Sequence, residues 1–319
     1  MIREKISEKI SLIDCNHIFP MYAAAYLLIE GKRCVFVETN TQFAVPRFIS
    51  ELKEYGLGPE NVEYIIVTHV HLDHAGGTSA LVNLCPNAVV LAQQRAARHI
   101  IDPTRLIDAV KALFGEEEFI RIYGEIGPVE EERVRVVRDG EIIEFGNREL
   151  KFIYTLGHAK HHMCIYDSGT NGIFTGDSFG LAFPILQSGN RPFIFPSTSP
   201  TDFDPNEACD SINKIYNTGA RTAFLTHYGP FEHVKEGSEM MIESIHKMEN
   251  ILNDALNSDM DQVSLERFCM ERMIDFFKDE MESRDLPFSY ENQKFLQTDI
   301  ELNAQGIAFA VQRLRGINS

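Results

Sequence analysis

An α/β protein with an all-helical C-terminal extension is the fold class this sequence predicts, and three observations predict it. Short β-branched apolar runs alternate with turn signals from Lys9 to about Thr155. Helical periodicity interrupts them at Val45 to Tyr55 and returns after Asp204. Beyond Gly237 the helical period runs on without strand signals. At 319 residues the chain is long enough for two domains, or for one large domain with an appendage.

The elements follow in order. Ala24 to Ile29 and Cys34 to Val37, joined by Glu30-Gly31-Lys32, read as a hairpin entering a core. Phe48, Ile49 and Leu52 share one helix face, and Gly56 to Gly58 end that helix. Val62 to Val67 suits a strand buried on both faces. From Ala92 to about Glu132 the chain leans helical but carries Pro103, Gly115, Gly124 and Pro128, which predicts an insertion at about 95–130, packed over one rim. Val134 to Val137, Glu141 to Phe145 and Glu149 to Leu156 return to strand character across Asp139-Gly140 and Gly146-Asn147 turns. Gly172 to Phe174 and Arg221 to Leu225 complete the predicted strands. Asp204-Pro205-Asn206-Glu207 has the order of a helix start: an N-cap, a proline at the first helical position, and Glu three residues after the cap.

In the tail, Met241, Ile245, Met248, Leu252 and Ala255 step by 4, 3, 4 and 3, and Ile300, Ala304, Ile307, Val311 and Leu314 repeat those steps. Leu265, Cys269, Met273 and Phe276 make a third helix between them. The expected division is therefore 1–236 for the α/β domain and 237–319 for the helical extension. The heptad-like steps also suit a homodimer.

Charge narrows the partners. Thirty Lys and Arg against 47 Asp and Glu leave a formal net charge of −17, with no basic run set aside, so a nucleic-acid partner is disfavoured. No stretch approaches the length of a membrane span, and the first twelve residues hold no continuous apolar region. A soluble cytoplasmic protein is expected, without membrane contact. Six cysteines lie far apart with no C-x-x-C spacing, as expected for buried, inert thiols.

The chemistry concentrates at histidines. His69-Val70-His71-Leu72-Asp73-His74 packs three imidazoles and a carboxylate into six positions, directly after an apolar strand. These groups are ligands for zinc and for non-haem iron. On an extended segment His69 and His71 project to the same side, and Gly76 and Gly77 let the chain turn tightly behind them. Three later segments, Leu156-Gly157-His158, Thr175-Gly176-Asp177 and Leu225-Thr226-His227, each hang one more potential ligand just beyond an apolar strand. A sheet holds such groups rigidly.

In these residues the chain resembles the metallo-β-lactamase superfamily, in order from the N-terminal hairpin to about Pro230, and its site resembles the glyoxalase II-like and ribonuclease Z-like branches. The resemblance implies a four-layer αββα sandwich with metals at one edge of the two sheets. It implies that His69, His71 and His158 hold one divalent ion, that Asp73, His74 and His227 hold another, and that Asp177 bridges them. Zinc is the first expectation, with iron and manganese open. Two departures stand out. The superfamily's V-D-T-G appears here as Val37-Glu38-Thr39-Asn40, and T-P-G-H-T-P-G-H as Thr155-Leu156-Gly157-His158-Ala159-Lys160-His161-His162. By that register His162 supports the ligands and His161 lies in the pocket.

The implied activity is that of a dinuclear metal-dependent hydrolase, with a metal-bridging hydroxide attacking a carbonyl or phosphoryl centre. Asp73 would orient the nucleophile or move its proton, and Tyr228 would either donate to the oxyanion or pack as an aromatic ring. The segment Leu181 to Pro205, with Phe183, Phe193, Phe195 and Phe203 among five prolines, suggests an apolar wall in which Arg191 is the one cation. A small ester, thioester or lactone is the expected substrate. A phosphodiesterase or nuclease, a di-iron dioxygen or redox protein, and a metal-bearing signalling protein are the alternatives.

Overall fold

The computed structural model describes residues 3–7, 9–187, 192–198 and 202–316. The chain divides into two compact units: Met1–Tyr154 with His161–Gly176 and Ala220–Phe231, and Thr155–Lys160 with Asp177–Gly219 and Glu232–Ser319.

The first unit carries both sheets. β1 (Arg3–Ser7), β2 (Ile10–Asp14), β3 (Ala24–Glu30), β4 (Arg33–Val37), β5 (Val62–Ile66), β6 (Val89–Gln93) and β7 (Val134–Val137) lie side by side in chain order. The pairs from β1 to β4 are antiparallel and those from β4 to β7 parallel. The second sheet runs through β8 (Ile142–Phe145), β9 (Arg148–Tyr154), β10 (Met163–Asp167), β11 (Gly172–Gly176), β12 (Thr222–Leu225) and β13 (Gly229–Phe231), antiparallel except between β11 and β12. Helices α1 (Val45–Glu54), α2 (Leu72–Ala75), α3 (Thr78–Leu84), α4 (Gln94–Ile101), α5 (Thr104–Phe114) and α6 (Glu116–Tyr123) complete this unit.

Strand side chains alternate faces, and the alternation sorts them into two cores. Tyr26, Leu28, Val35 and Val37 meet Phe152, Ile165, Phe174 and Phe224 of the second sheet. Ala25, Leu27, Cys34 and Phe36 point the other way, onto Phe48 and Leu52 of α1, Leu81 of α3 and Ala97 of α4. Tyr26 shows how a polar tip enters this core. Its ring lies 5.1 Å from Phe174 and 5.5 Å from Phe224, while its hydroxyl donates to the Leu225 carbonyl at 2.5 Å. Each such buried side chain contributes about 1.5–3 kcal/mol.

The second unit is helical: α7 (Pro205–Asn217), α8 (Val234–Leu256), α9 (Gln262–Glu282), α10 (Tyr290–Phe295) and α11 (Gln297–Leu314). The predicted start of α7 is found, with Asp204 Oδ1 accepting from the amides of Asn206 and Glu207. The face of α8 marked by Met241, Ile245, Met248, Leu252 and Ala255 is buried, and α8 packs on α7, α9 and α11. Buried Glu280 of α9 is held by Ser244, Lys247 and Arg284, so its charge is paired inside the bundle.

The fold class is the one the sequence predicts: two mixed sheets flanked by helices, with α8–α11 at the C-terminal end. Helices α4–α6 fill the predicted insertion. Two details differ. Strands β1, β2, β6, β10 and β13 have no counterpart in the sequence reading, and each is only three to five residues long. The phenylalanines at 183, 193, 195 and 203 are at most 2% exposed, and they close the interior of the second unit instead of forming an open wall. Phe195 sits 5.0 Å from Phe277 of α9, and Phe183 sits 5.2 Å from Phe295 of α10. Arg191 and Pro200 lie outside the described residues. All six cysteines are free thiols, five of them buried. Among the described residues no helix is long and apolar enough to cross a membrane.

Candidate metal centre

The centre begins where neighbouring strands end. β4 and β5 are parallel, so the residues after them, Glu38 to Asn40 and Val67 to His74, emerge at the same edge of the sheet. Thr226 and His227 follow β12. His69 and His71 are brought together as alternation predicts, with His69 Nε2 2.9 Å from His71 Nδ1. α2 then carries Asp73 and His74. The glycines behind it act differently from the expectation. Gly77 has an ordinary φ of −85°, but a Cβ there would stand 2.6 Å from the Thr39 carbonyl oxygen and 2.8 Å from that of Thr41. Close backbone approach, not turn freedom, demands glycine at this position.

Hydrogen bonds decide which nitrogen each imidazole presents. Thr68 Oγ1 donates to Glu38 Oε1 at 2.5 Å, so its oxygen accepts from His69 Nδ1 at 3.0 Å. His74 Nδ1 donates to Glu38 Oε1 at 3.1 Å, and His227 Nδ1 to the Tyr22 carbonyl at 2.8 Å. A neutral imidazole has one ring proton, so His69, His74 and His227 present Nε2 lone pairs. His74 Nε2 and His227 Nε2 face each other at 3.4 Å, with Asp73 Oδ2 at 3.6 and 3.3 Å. Three electron-pair donors converge there with both Nδ1 protons committed elsewhere, a donor set for a cation. The same unit holds a second group, Glu38, His69 and His74, whose ligand atoms all lie within 4.8 Å.

In the second unit, His158 and Asp177 form their own pair. His158 Nδ1 donates to the Ser197 carbonyl at 2.9 Å, which turns Nε2 to within 3.5 Å of Asp177 Oδ2. Gly157, one residue before, has φ +105°, and a Cβ there would stand 2.2 Å from the Ala208 amide nitrogen.

Glu38 explains the sequence departure. It is 1% exposed and accepts from the Thr68 amide, from the hydroxyls of Thr68 and Thr226, and from His74 Nδ1. The longer carboxylate thus ties together the segments after β4, β5 and β12, and it does so from a backbone φ of +70°. Asn40, at φ +51°, donates Nδ2 to the Asp73 carbonyl at 2.8 Å. His162 is fully buried with its ring 4.8 Å from that of His69, and His161 lies 5.6 Å from His71. The ring of Tyr228 packs against the core between the sheets.

Three aromatic residues were invisible in the sequence. Tyr22 meets His227 edge-on at 5.2 Å, and His17 lies between Tyr22 at 5.9 Å and Tyr123 at 6.2 Å. Burial pushes the His17 imidazole below its ordinary pKa while the Asp73 charge works in the opposite sense. Burial, with Asp73 adding to it, holds the Tyr123 phenol well above the usual range. These side chains sit on a loop and at a helix end, 106 positions apart for His17 and Tyr123, so no periodicity announces them.

Comparison with known proteins bears on this arrangement. A family profile described as the metallo-beta-lactamase superfamily matches residues 18–227. The metallo-beta-lactamase fold-containing protein ST1585 of Sulfurisphaera tokodaii is 26% identical over 66% of this chain and 74% of its own length. Its crystal structure superimposes with a TM-score of 0.65 at 19% identity, covering 94% of this chain and 98% of that one. A nitric oxide reductase of Moorella thermoacetica is 28% identical over 49% of this chain and 33% of its own length. A hydroxyacylglutathione hydrolase of Prochlorococcus marinus is 26% identical over 59% and 60%. The chain thus spans about a third of the reductase and under two thirds of the hydrolase.

Proposed function

The chain belongs to the metallo-beta-lactamase superfamily, and within it we propose a dinuclear metal-dependent hydrolase acting on a small ester, thioester or lactone. The observation that carries this reading is the convergence of Asp73 Oδ2, His74 Nε2 and His227 Nε2, with the Nδ1 proton of each ring held by Glu38 or by Tyr22. We assign His69, His71 and His158 to one ion, Asp73, His74 and His227 to the other, and Asp177 to both. Divalent ions there would supply a nucleophilic hydroxide at neutral pH and polarise the substrate carbonyl.

The chain's own residues do the rest. Glu38, Thr68 and the carbonyls of Tyr22 and Ser197 orient four imidazoles so that each keeps its lone pair directed inward. Asp73 accepts a proton from the attacking water or orients it, and later returns that proton to the leaving group. The net charge of −17 favours a small substrate over a polyanion. The resemblance to a hydroxyacylglutathione hydrolase supports the ester or thioester class.

A di-iron redox protein is the second reading, supported by the match to a nitric oxide reductase. Metal content separates the two. Purified without added metal, the protein should hold about two zinc ions per chain, and His71→Ala and Asp177→Ala should lose metal and esterase activity together. About two irons, with activity only toward dioxygen or nitric oxide, would replace the hydrolase by the redox protein. Full metal content and activity in both variants would overturn the ligand assignment.

A further inference from the structure

His17 is 7% exposed, and among the described residues its ring makes no hydrogen bond. Neither ring nitrogen is among the fully buried polar atoms that lack a partner, so the imidazole packs along its body and keeps a polar edge open. The loop that places it is expensive. Asn16, Ile18 and Met21 all have positive φ, at 51°, 60° and 59°, and Ile18 is β-branched, the side-chain type least tolerant of that conformation. The Cys15 amide donates to the Ala23 carbonyl, and Asp14 Oδ1 accepts from the amides of Asn16 and Met21, which holds the loop in place. One residue on, the Tyr22 carbonyl receives His227 Nδ1, so the loop is tied directly to a residue of the candidate centre.

The aromatic neighbours fix where the ring stands. Tyr22 and Tyr123 flank it at 5.9 and 6.2 Å with interplanar angles of 39° and 30°, and Tyr22 is itself edge-on to His227. The charge that acts on His17 is that of Asp73, a residue of the converging donor set. Backbone strain persists in a fold where the surrounding structure enforces it, and strained positions cluster at functional sites.

We propose that His17 is a substrate-contacting residue whose ring N–H hydrogen-bonds an oxygen of a molecule bound over Asp73, His74 and His227. The inference rests on the metal-dependent reading above and adds a specificity element contributed by the β2–β3 loop. Tyr22 and Tyr123 keep the imidazole from rotating away, so the bond costs little ordering when substrate arrives. An oxygen is the expected partner because sulfur accepts hydrogen bonds weakly.

The test uses the full chain loaded with zinc, and the probe is acetohydroxamate, a bidentate oxygen ligand for metal ions, measured by calorimetry. His17→Phe keeps a flat ring between the tyrosines but removes the donor. His17→Gln keeps a donor but removes the ring. Zinc content should be unchanged in both. Affinity for the probe should fall about tenfold in His17→Phe, the size of one lost hydrogen bond, and should stay within about threefold of the parent in His17→Gln. With p-nitrophenyl acetate, KM should rise in His17→Phe more than kcat falls. Unchanged probe affinity in His17→Phe, or equal loss in both variants, would reduce His17 to a packing residue and overturn the proposal. If the parent protein holds no zinc or does not bind the probe, the metal-dependent reading fails first and this inference falls with it.

Discussion

Replacing Glu38 by Gln isolates the group that supports the candidate centre. The carboxylate receives four donors: the Thr68 amide at 3.3 Å, the Thr68 hydroxyl at 2.5 Å, the Thr226 hydroxyl at 3.2 Å and His74 Nδ1 at 3.1 Å. Gln has the same length but one acceptor oxygen. If that oxygen replaces Oε1 and keeps the two hydroxyls and His74, the new NH2 group is turned onto the Thr68 amide, and two donors face each other. Hydrogen bonds to a charged group contribute about 1.5–3 kcal/mol each and those to a neutral amide about half as much, so losing one and weakening three costs the metal-free protein about 4–7 kcal/mol. His74 also loses the negative partner that raises the basicity of its Nε2. Removal of such a support weakens metal binding by about 10–100-fold. Chelator competition for zinc and thermal unfolding of metal-free and zinc-loaded protein read the two effects separately. Zinc affinity and melting temperature both equal to those of the parent would refute the role given to Glu38.

Two further outcomes follow from other parts of the fold. Gly77→Ala should lower stability by about 1–3 kcal/mol through overpacking against the Thr39 and Thr41 carbonyls, read as a lower urea midpoint, and an unchanged midpoint would mean that the segment after β4 can yield. Burial pushes the thiols of Cys34 and Cys269 up to about 12. In the unfolded chain a thiol titrates near about 8.5, so the folded state retains protons that the unfolded state has released. Their contribution is complete below about pH 8.5 and is lost as pH rises toward 12. Urea midpoints should therefore fall between pH 8.5 and 11, less steeply in Cys34→Ala, and an identical slope in that variant would reject the assignment.

Much of this molecule is legible in one dimension because its determinants are local. The apolar run Ala24 to Ile29 anticipates a strand entering the core, and the steps from Met241 to Ala255 anticipate the buried face of α8. Asp204 caps α7 with atoms two and three residues away. The order His69, His71, Asp73, His74 names candidate ligands because an extended segment followed by one helical turn needs no distant partner to bring them together. Where the sequence reading went astray, distance was the cause. Gly77 is glycine because of Thr39 and Thr41, which lie 38 and 36 positions earlier, and Phe195 and Phe183 are met by Phe277 of α9 and Phe295 of α10, more than seventy positions later.

The sequence by itself determines most of the elements, the fold class and the chemical character of the candidate ligands, since periodicity, capping and ligand order are properties of neighbouring residues. Only the tertiary structure decides which nitrogen each imidazole presents. Its agents are the Tyr22 carbonyl for His227, 205 positions away, and Glu38 for His74, 36 positions away. It also brings His17, Tyr22 and Tyr123 into one cluster. A hydrogen bond or a ring contact depends on the positions of both partners, and folding alone brings such distant partners within about 3 to 6 Å of each other.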